Sequence, residues 1–164
     1  DTTAEFILNT YKENKLEEIF LKYGEENWSR KIAKNIIEFR RKTRIKTTED
    51  LKKIVESSIP RKFWPPKVHP SFRIFQAIRI EVNKELAHIE NGISNLSPFL
   101  SREGIFCVIS FHSLEDRIVK NCFKNLAKEK DYLILTKKPM IASEEEILLN
   151  PASRSAKLRV LQAI

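Results

Sequence analysis

Glycine is scarce in this sequence of 164 residues, which contains only Gly24, Gly92 and Gly104. The three are scattered, whereas a loop that cradles the phosphates of a nucleotide or dinucleotide needs two or three glycines within about six residues. The sequence therefore excludes a glycine-rich cofactor loop in this chain.

Cysteine and histidine are also rare, with two and three residues. Cys107 and Cys122 lie in apolar patterns, and neither they nor the histidines have the spacing of a metal site. We therefore predict buried thiols in a reducing compartment, the cytoplasm, and no metal centre. No apolar run approaches the roughly 18 residues of a membrane span, so no membrane association is expected.

Acidic residues are outnumbered, because 30 Lys and Arg face 22 Asp and Glu, a formal net charge of +8. Such an excess fits a polyanionic partner, most simply nucleic acid, and it also fits a lysine-rich solvated surface. An initiator Met and a targeting pattern are missing as well. We therefore expect the chain to be part of a longer protein.

Residues 1–60 predict a small helical bundle. A capping box, Thr2-x-x-Glu5, begins the first helix, and Gly24 is a candidate left-handed C-cap of the second. Thr47 begins the fourth helix, which Pro60 stops. The third helix, residues 26–42, is apolar on one face and basic on the other, where it carries Arg30, Lys31, Lys34, Arg40, Arg41 and Lys42.

A connector follows at residues 60–70, where four prolines exclude a helix interior or a central strand. Lys and Arg are interleaved there with Phe63 and Trp64. Two interpretations stay open: the rings stack on nucleic-acid bases, or they dock the connector on the helical core.

The second half of the sequence has the pattern of an α/β sheet. A long helix is predicted from residue 71 to about 96, and further helices begin at Ser113 (ending near Lys130) and after Ser143. Strands are predicted at residues 104–110, 131–137 and 156–163. The first strand is apolar on both faces, as in a buried parallel strand. Since it has only one neighbour here, we expect its open edge to pair with a second copy or to be covered by a rearranged segment.

The junction between the 104–110 strand and the next helix, VISFHSLEDRIVK, has the position of a binding site. Ligands bind beyond the carboxyl ends of strands, where helix N-termini also point. A hydrolase that uses Ser110 or Ser113 with His112 as base is disfavoured, since working triads are assembled from separate segments. Glu115 and Asp116 fit helix-dipole compensation, Ser113 fits an N-cap, and His112 could be a hydrogen-bonded structural group.

Three segments in order, HPSFRIFQAIRIEVNKEL, VISFHSLEDRIVK and LTKKPMIASEEEILLNPASRSAKLRV, strongly resemble the C-terminal blocks of the bacterial RsmH (MraW) family. KYGEENWSRKIAKNII resembles the helical insert of that family. The resemblance implies N4 methylation of a cytidine in the 16S rRNA of the small ribosomal subunit, with S-adenosylmethionine as donor. It also implies an α/β fold, the C-terminal half of a class I (Rossmann-like) methyltransferase sheet with strand order 5-7-6, plus an inserted all-helical domain.

On this mapping residues 1–65 form the inserted substrate-recognition domain, and residues 66–164 form the C-terminal part of the methyltransferase domain. The family's glycine-rich loop, acidic ribose-binding residue and Asp-bearing loop have no counterpart here. The chain alone is therefore expected neither to bind S-adenosylmethionine nor to catalyse methyl transfer. The catalytic residues are expected in a missing N-terminal half. The alternative is a non-catalytic RNA-binding or ribosome-assembly module.

The resemblance also implies roles for individual residues. Ser110, Phe111, His112 and Ser113 would line the pocket of the target base, with Phe111 or His112 stacking on or hydrogen-bonding a cytidine pulled out of its stack. The candidates for phosphate contacts or for support of that edge are Arg73, Arg79, Arg117, Lys120, Arg154 and Lys157. The basic third helix would add Lys31, Lys34, Arg40 and Arg41 as RNA-binding residues.

Overall fold

A computed structural model describes residues 2–129 and 131–164, and the chain divides into two compact units between Glu85 and Leu86. Lys130, near which the sequence predicts a helix end, lies outside the described residues. Among the described helices, none combines the length and the apolar character needed to cross a lipid bilayer.

The first unit is helical. Within the described residues it contains α1 (Ala4–Thr10), α2 (Glu13–Gly24), α3 (Ser29–Arg40), α4 (Thr48–Ser58) and α5 (Phe72–Asn83), with a 3-10 turn at Arg61–Phe63. Apolar residues three and four apart on each helix face inward, as the amphipathic patterns predict. Phe20, Ile32, Ile36 and Ile74 are fully buried in the common core. The predicted four-helix bundle is therefore joined by a fifth helix, α5, which packs on α2.

The helix ends of this unit confirm one predicted cap and correct two. Thr47 caps α4 in a complete capping box with Asp50. Thr3, rather than Thr2, caps α1, because its Oγ1 accepts the Phe6 N–H at 3.1 Å. The left-handed residue after α2 is Glu25, with φ 47°, and not Gly24.

Gly24 has a different reason to be glycine. A Cβ built on it would lie 2.9 Å from the carbonyl oxygen of Arg73 in α5. Real Cβ atoms do not come that close to a backbone oxygen, so the absent side chain is what lets α2 and α5 pack at this distance.

The single long helix predicted from residue 71 to 96 is wrong. The chain breaks at Lys84, where φ is 52°, and a new helix, α6 (Glu85–Leu96), begins at the next residue. The Glu85 carboxylate accepts two hydrogen bonds from Arg79, at 2.8 and 3.0 Å, and one from Asn83 at 3.1 Å. These bonds hold an acidic side chain in the first turn of α6, where the helix dipole favours it.

The compact units thus divide about twenty residues after the predicted domain boundary at residue 65. The reason is that α5, assigned from the sequence to the methyltransferase part, packs against α2. The functional division into residues 1–65 and 66–164 stays a prediction.

The second unit is a small mixed α/β structure. After α6 come β1 (Ile105–Ser110), α7 (Ser113–Leu126), β2 (Tyr132–Ile134), β3 (Met140–Ile141), α8 (Glu144–Leu149) and β4 (Lys157–Ala163), with 3-10 turns at Ser97–Phe99, Ala127–Glu129 and Pro151–Ser155. The predicted cap of α8 is confirmed, since Ser143 Oγ accepts the Glu146 N–H at 3.1 Å.

The last strand organises the sheet. The strand order is β1-β4-β2, and β4 runs antiparallel to both neighbours, with Cys107 opposite Val160 and Leu133 opposite Gln162. The short β3 also pairs with β4. Phe123 of α7 and Leu161 of β4 lie at the centre of the core beneath the sheet.

The expectation that β1 is buried on both faces is wrong for this chain. Ile105 and Ile109 are 50% and 59% exposed, and Cys107 between them is exposed too, so it is not the predicted buried thiol. Cys122 is half-buried, and burial raises the pKa of its thiol. Among the described residues β1 pairs with β4 only, so no rearranged strand of this part of the chain pairs with its other edge. Pairing with a second copy stays a prediction.

Candidate functional site

The candidate site lies where β1 ends and α7 begins. Ser110, the last residue of β1, is only 4% exposed, and its Oγ donates to the carbonyl oxygen of Lys157 at 3.4 Å. Phe111 follows with 54% of its surface exposed. The junction therefore turns one polar side chain inward and presents one aromatic side chain to solvent.

His112, rather than Ser113, is the N-cap of α7, which corrects the sequence-based assignment. Its Nδ1 accepts the Glu115 N–H at 3.3 Å. In return, Glu115 Oε2 accepts the N–H of Phe111 at 2.8 Å and that of His112 at 3.3 Å. This reciprocal arrangement is a capping box, with an imidazole nitrogen in the place usually taken by a serine or aspartate oxygen.

The cap determines which tautomer a neutral His112 ring adopts. Since Nδ1 must accept a hydrogen bond, the neutral ring carries its proton on Nε2. Nε2 is shielded from solvent and makes no hydrogen bond with a described residue, while Glu115 Oε1 lies 3.3 Å from it. The histidine therefore holds the start of α7, and Phe111 is the ring that faces outward.

A buried ion pair ties α7 to β4 beside this junction. Arg159 Nε and Nη2 donate to the two Asp116 carboxylate oxygens at 2.6 and 3.1 Å, and Lys157 Nζ lies 3.8 Å from Asp116. The hydrogen bonds from Arg159 lower the pKa of Asp116, while burial opposes the shift. The sequence predicted only helix-dipole compensation for Asp116. In the structure it is also the partner of a buried arginine.

Sequence reasoning missed Arg159. The available signal was that Arg159 shares a face of β4 with Leu161 and Ala163, since an arginine among buried residues needs a carboxylate partner. The first turn of α7 offered Asp116 for that role.

The other predicted basic residues of the second unit are spread around the junction. Lys157 lies directly opposite Ser110 in the β1–β4 register. Arg154 is exposed in the 3-10 turn before β4, and Arg117 and Lys120 are exposed on α7. The structure therefore brings Lys157 to the end of β1, whereas Lys120 lies almost two turns further along the helix.

Several predicted RNA-binding residues of the helical unit have structural partners. Arg40 Nη1 donates to the carbonyl oxygens of Leu8 and Tyr11, at 2.9 and 2.7 Å, and so holds the end of α1. Burial, followed by repulsion from Arg41, lowers the pKa of Arg40. Arg40 is thus a structural residue here, while its neighbour Arg41 is exposed.

The remaining candidates of this unit are exposed. Arg73 donates to the Glu25 carbonyl oxygen at 3.3 Å, and Arg79 forms its two-pronged pair with Glu85. Lys31 lies 5.7 Å from the centre of the Trp28 ring, and Lys34 lies 3.8 Å from Glu38.

The connector docks on the helical unit through its aromatic residues. Trp64 is half-buried, and its Nε1 donates to the Ile59 carbonyl oxygen at 2.8 Å. Phe63 lies against Trp28 at 5.4 Å, with about half of its surface exposed. The docking interpretation therefore holds for Trp64, whereas Phe63 is both docked and accessible.

A hydrogen-bonded chain that the sequence did not suggest joins the connector to α4. His69 Nε2 lies 2.9 Å from Glu56 Oε1, and His69 Nδ1 lies 2.6 Å from Ser71 Oγ. Ser71 is buried at the start of α5 and also donates its N–H to Nδ1, at 3.2 Å. Ser71, His69 and Glu56 are connected in the order of a nucleophile, base and acid. Ser71, however, is buried, and its bonds to His69 hold the connector against the start of α5.

Comparison with known proteins identifies the family. The sequence profile of the MraW methylase family matches residues 1–164. The chain belongs to the MraW methylase family.

Curated relatives within this MraW methylase family carry the name "Ribosomal RNA small subunit methyltransferase H". The protein from Leptospira interrogans is 59% identical over 160 residues, which cover 98% of this chain and 48% of the relative. The protein from Sulfurihydrogenibium azorense is 50% identical over 164 residues, covering 100% and 56%. The Clostridioides difficile protein is 46% identical, covering 100% and 59%. The chain thus spans about half the length of the curated relatives it matches.

Proposed function

We propose that this chain is the substrate-side part of a methyltransferase that acts on the RNA of the small ribosomal subunit. The proposed reaction transfers a methyl group from S-adenosylmethionine to N4 of a cytidine in 16S rRNA, in the cytoplasm. Membership of the MraW methylase family over all 164 residues, together with the printed name of the relatives, carries the proposal.

The sheet supports the assignment. In the strand order β1-β4-β2, the last strand lies between the other two and is antiparallel to both. We equate β1, β2 and β4 with the fifth, sixth and seventh strands of a class I methyltransferase, and α1 to α4 with the inserted helical domain. The edge of β1 that β4 leaves open would accept a further strand, from the remaining length of the protein or from a second copy.

The residues of this chain do not fit S-adenosylmethionine. Gly24 and Gly92 lie within helices, and Gly104 lies in the turn before β1. The β1–α7 junction contains no glycine, and its carboxylate, Glu115, is used in the cap of α7. We therefore assign the cofactor site to the part of the relatives' length that this chain does not span, and we expect the isolated chain to be inactive.

The chain itself would hold the target base. Phe111 presents an aromatic ring at the carboxyl end of β1, the edge where ligands bind in open α/β sheets. The capping bonds of His112 and Glu115 fix the backbone on either side of that ring. A cytidine taken out of its stack would lie against Phe111, with Lys157 near enough to Ser110 to meet a neighbouring phosphate.

Attraction to RNA would come mainly from the helical unit. Residues 1–85 contain 19 Lys and Arg against 13 Asp and Glu, whereas residues 86–164 contain 11 against 9. A positive surface of this kind binds phosphates without regard to sequence, and its affinity falls as salt rises. The exposed candidates for that surface are Lys31 and Lys34 on α3 and Arg41 at its C-cap.

A methylation assay on small-subunit RNA with the full-length gene product tests the proposal. We expect Phe111→Ala to lower kcat/KM at least tenfold, because the target base loses its stacking partner. Phe99→Ala is the matched control, since Phe99 is also exposed but lies in the turn after α6. Equal activity of the two variants would refute the base-pocket assignment. RNA binding without any methyl transfer by the unaltered protein would instead support the assembly module.

A further inference from the structure

A groove runs between α7 and the outer strand β2, in the second unit. It encloses a cavity of about 400 Å³, a volume within the range of small-ligand sites. The α7 side is formed by Lys120, Phe123 and Lys124, with Ala127 of the 3-10 turn that follows; their spacing of three, four and seven residues places them on one helical face. The groove therefore uses a continuous stripe of α7 that the base-pocket assignment does not involve.

The floor of the groove is apolar, with one accessible aromatic ring. Phe123 closes it from below, since its ring is 1% exposed and packs against Phe106, with ring centres 5.9 Å apart. Tyr132 directs its hydroxyl away to the Ser97 carbonyl oxygen, to which it donates at 3.0 Å, and leaves its ring at the groove. The Tyr132 ring and the half-exposed Leu133 beside it offer an apolar surface for a planar ligand.

The rim of the groove is positive. Lys120 and Lys124 lie on the helical side and Lys137 on the strand side, and all three are exposed. Among the described residues none of the three forms an ion pair, and no carboxylate lines the groove. Arg159 also reaches the cavity, but Asp116 neutralises it.

We propose that this groove binds one unpaired nucleotide of an RNA strand, at a second contact apart from the target base. The base would lie on Tyr132 and Leu133, and the phosphates on its two sides would meet the lysines of the two rims. An acidic peptide side chain would reach the lysines but would leave the apolar floor uncovered. The choice of RNA as the polyanion rests on the proposed function.

The test is photo-crosslinking of a uridine hexamer that carries one 4-thiouridine to the full-length protein, followed by mass spectrometry of the crosslinked peptide. We expect crosslinks in residues 120–137, and protection of Lys137 from acetylation by the same RNA. Lys137→Glu should lower the crosslink yield about tenfold, because an attractive phosphate contact becomes repulsive. Lys138→Glu is the matched control, since it makes the same charge change one residue outside the groove.

A second variant separates a nucleotide pocket from a basic patch. Ala127→Leu fills the helical side of the groove without changing charge, so we expect it to abolish the crosslink and to leave overall RNA affinity within about twofold. Unchanged crosslinking in Ala127→Leu, equal loss in Lys137→Glu and Lys138→Glu, or full competition by hexaglutamate would overturn the proposal. The readout needs no methyl transfer, so a failed methylation assay with intact crosslinking would sink the proposed function alone.

Discussion

Arg159 in β4 and Asp116 in the first turn of α7 form a bidentate ion pair, and both side chains are largely buried. Arg159 Nε and Nη2 lie 2.6 and 3.1 Å from the two carboxylate oxygens. The pair joins the strand at the centre of the sheet to the helix that begins at the candidate site. The pair therefore fixes the first turn of α7 against β4.

Removal of the carboxylate should destabilise the second unit strongly. Asp116→Asn leaves a buried guanidinium without its counter-charge, and we expect a loss of about 3 kcal/mol in the free energy of unfolding. Urea denaturation followed by circular dichroism measures the loss. Glu144→Gln, an exposed acid in the first turn of α8, is the control and should change the stability by less than about 0.5 kcal/mol. Similar values for the two variants would show that the ion pair contributes little.

The same pair predicts a pH dependence. Arg159 lowers the pKa of Asp116 in the folded state below the ordinary value of about 3.9. A depressed carboxyl pKa contributes stability that is complete above the unfolded value and is lost as pH falls through the folded value. Unfolding free energies between pH 6 and pH 2 should therefore fall less steeply below about pH 4 in Asp116→Asn than in the wild type. Parallel curves would contradict this role.

Two glycine substitutions should act in opposite directions. Gly24→Ala places a Cβ 2.9 Å from the Arg73 carbonyl oxygen, so we expect a loss of about 1–3 kcal/mol as α2 and α5 move apart. Gly92→Ala in α6 meets nothing within 4 Å and should stabilise by about 0.5–1 kcal/mol, because alanine favours the helix. Thermal unfolding of both variants measures the contrast. A stabilising Gly24→Ala would mean that the two helices do not approach as closely.

His112 can be assigned to capping or to base recognition by two substitutions. Asparagine is a good N-cap, so His112→Asn should keep the stability of α7, whereas His112→Ala should lose about 1 kcal/mol. If capping is its whole role, methylation by the full-length His112→Asn protein stays near the wild-type rate. A stable His112→Asn variant with a large fall in kcat would instead assign the ring to the target base.

Arg40 and Arg41 should separate folding from RNA binding. Arg40→Ala removes two bonds to the end of α1, and we expect a loss of about 2 kcal/mol in unfolding free energy. Arg41→Ala should leave stability unchanged, while it reduces by about one the slope of log affinity for RNA against log salt. Fluorescence anisotropy with labelled RNA at several salt concentrations supplies that slope. An unchanged slope would remove Arg41 from the RNA-binding surface.

Local sequence signals predicted those features that depend on local contacts. The caps at Thr47 and Ser143 and the apolar stripes of the helices rest on neighbours within four residues, and such patterns are legible in a single sequence. The break at Lys84 was not predicted, because the apolar spacing runs on through a residue type that rarely adopts positive φ. The role of Gly24 was also predicted wrongly, because the close contact that requires a glycine there comes from Arg73 in α5, almost fifty residues away.

The candidate site shows the same division. Its position at the end of β1 followed from the apolar run and the helix signal after it. The cap by His112 was missed because serine is the commoner capping residue and Ser113 stood next to it. The pair of Asp116 with Arg159 required the antiparallel register of β4, which spacing along the chain does not contain.

The central place of β4 has a consequence for synthesis of the protein. Among the described residues, β1, β2 and β3 all pair with residues 157–163, so this sheet cannot form until that segment has left the ribosome. The helical unit, whose contacts are complete by residue 85, can fold earlier during translation. In the interval, the apolar face of β1 is exposed to other nascent chains, and it would be a natural site for a chaperone to bind.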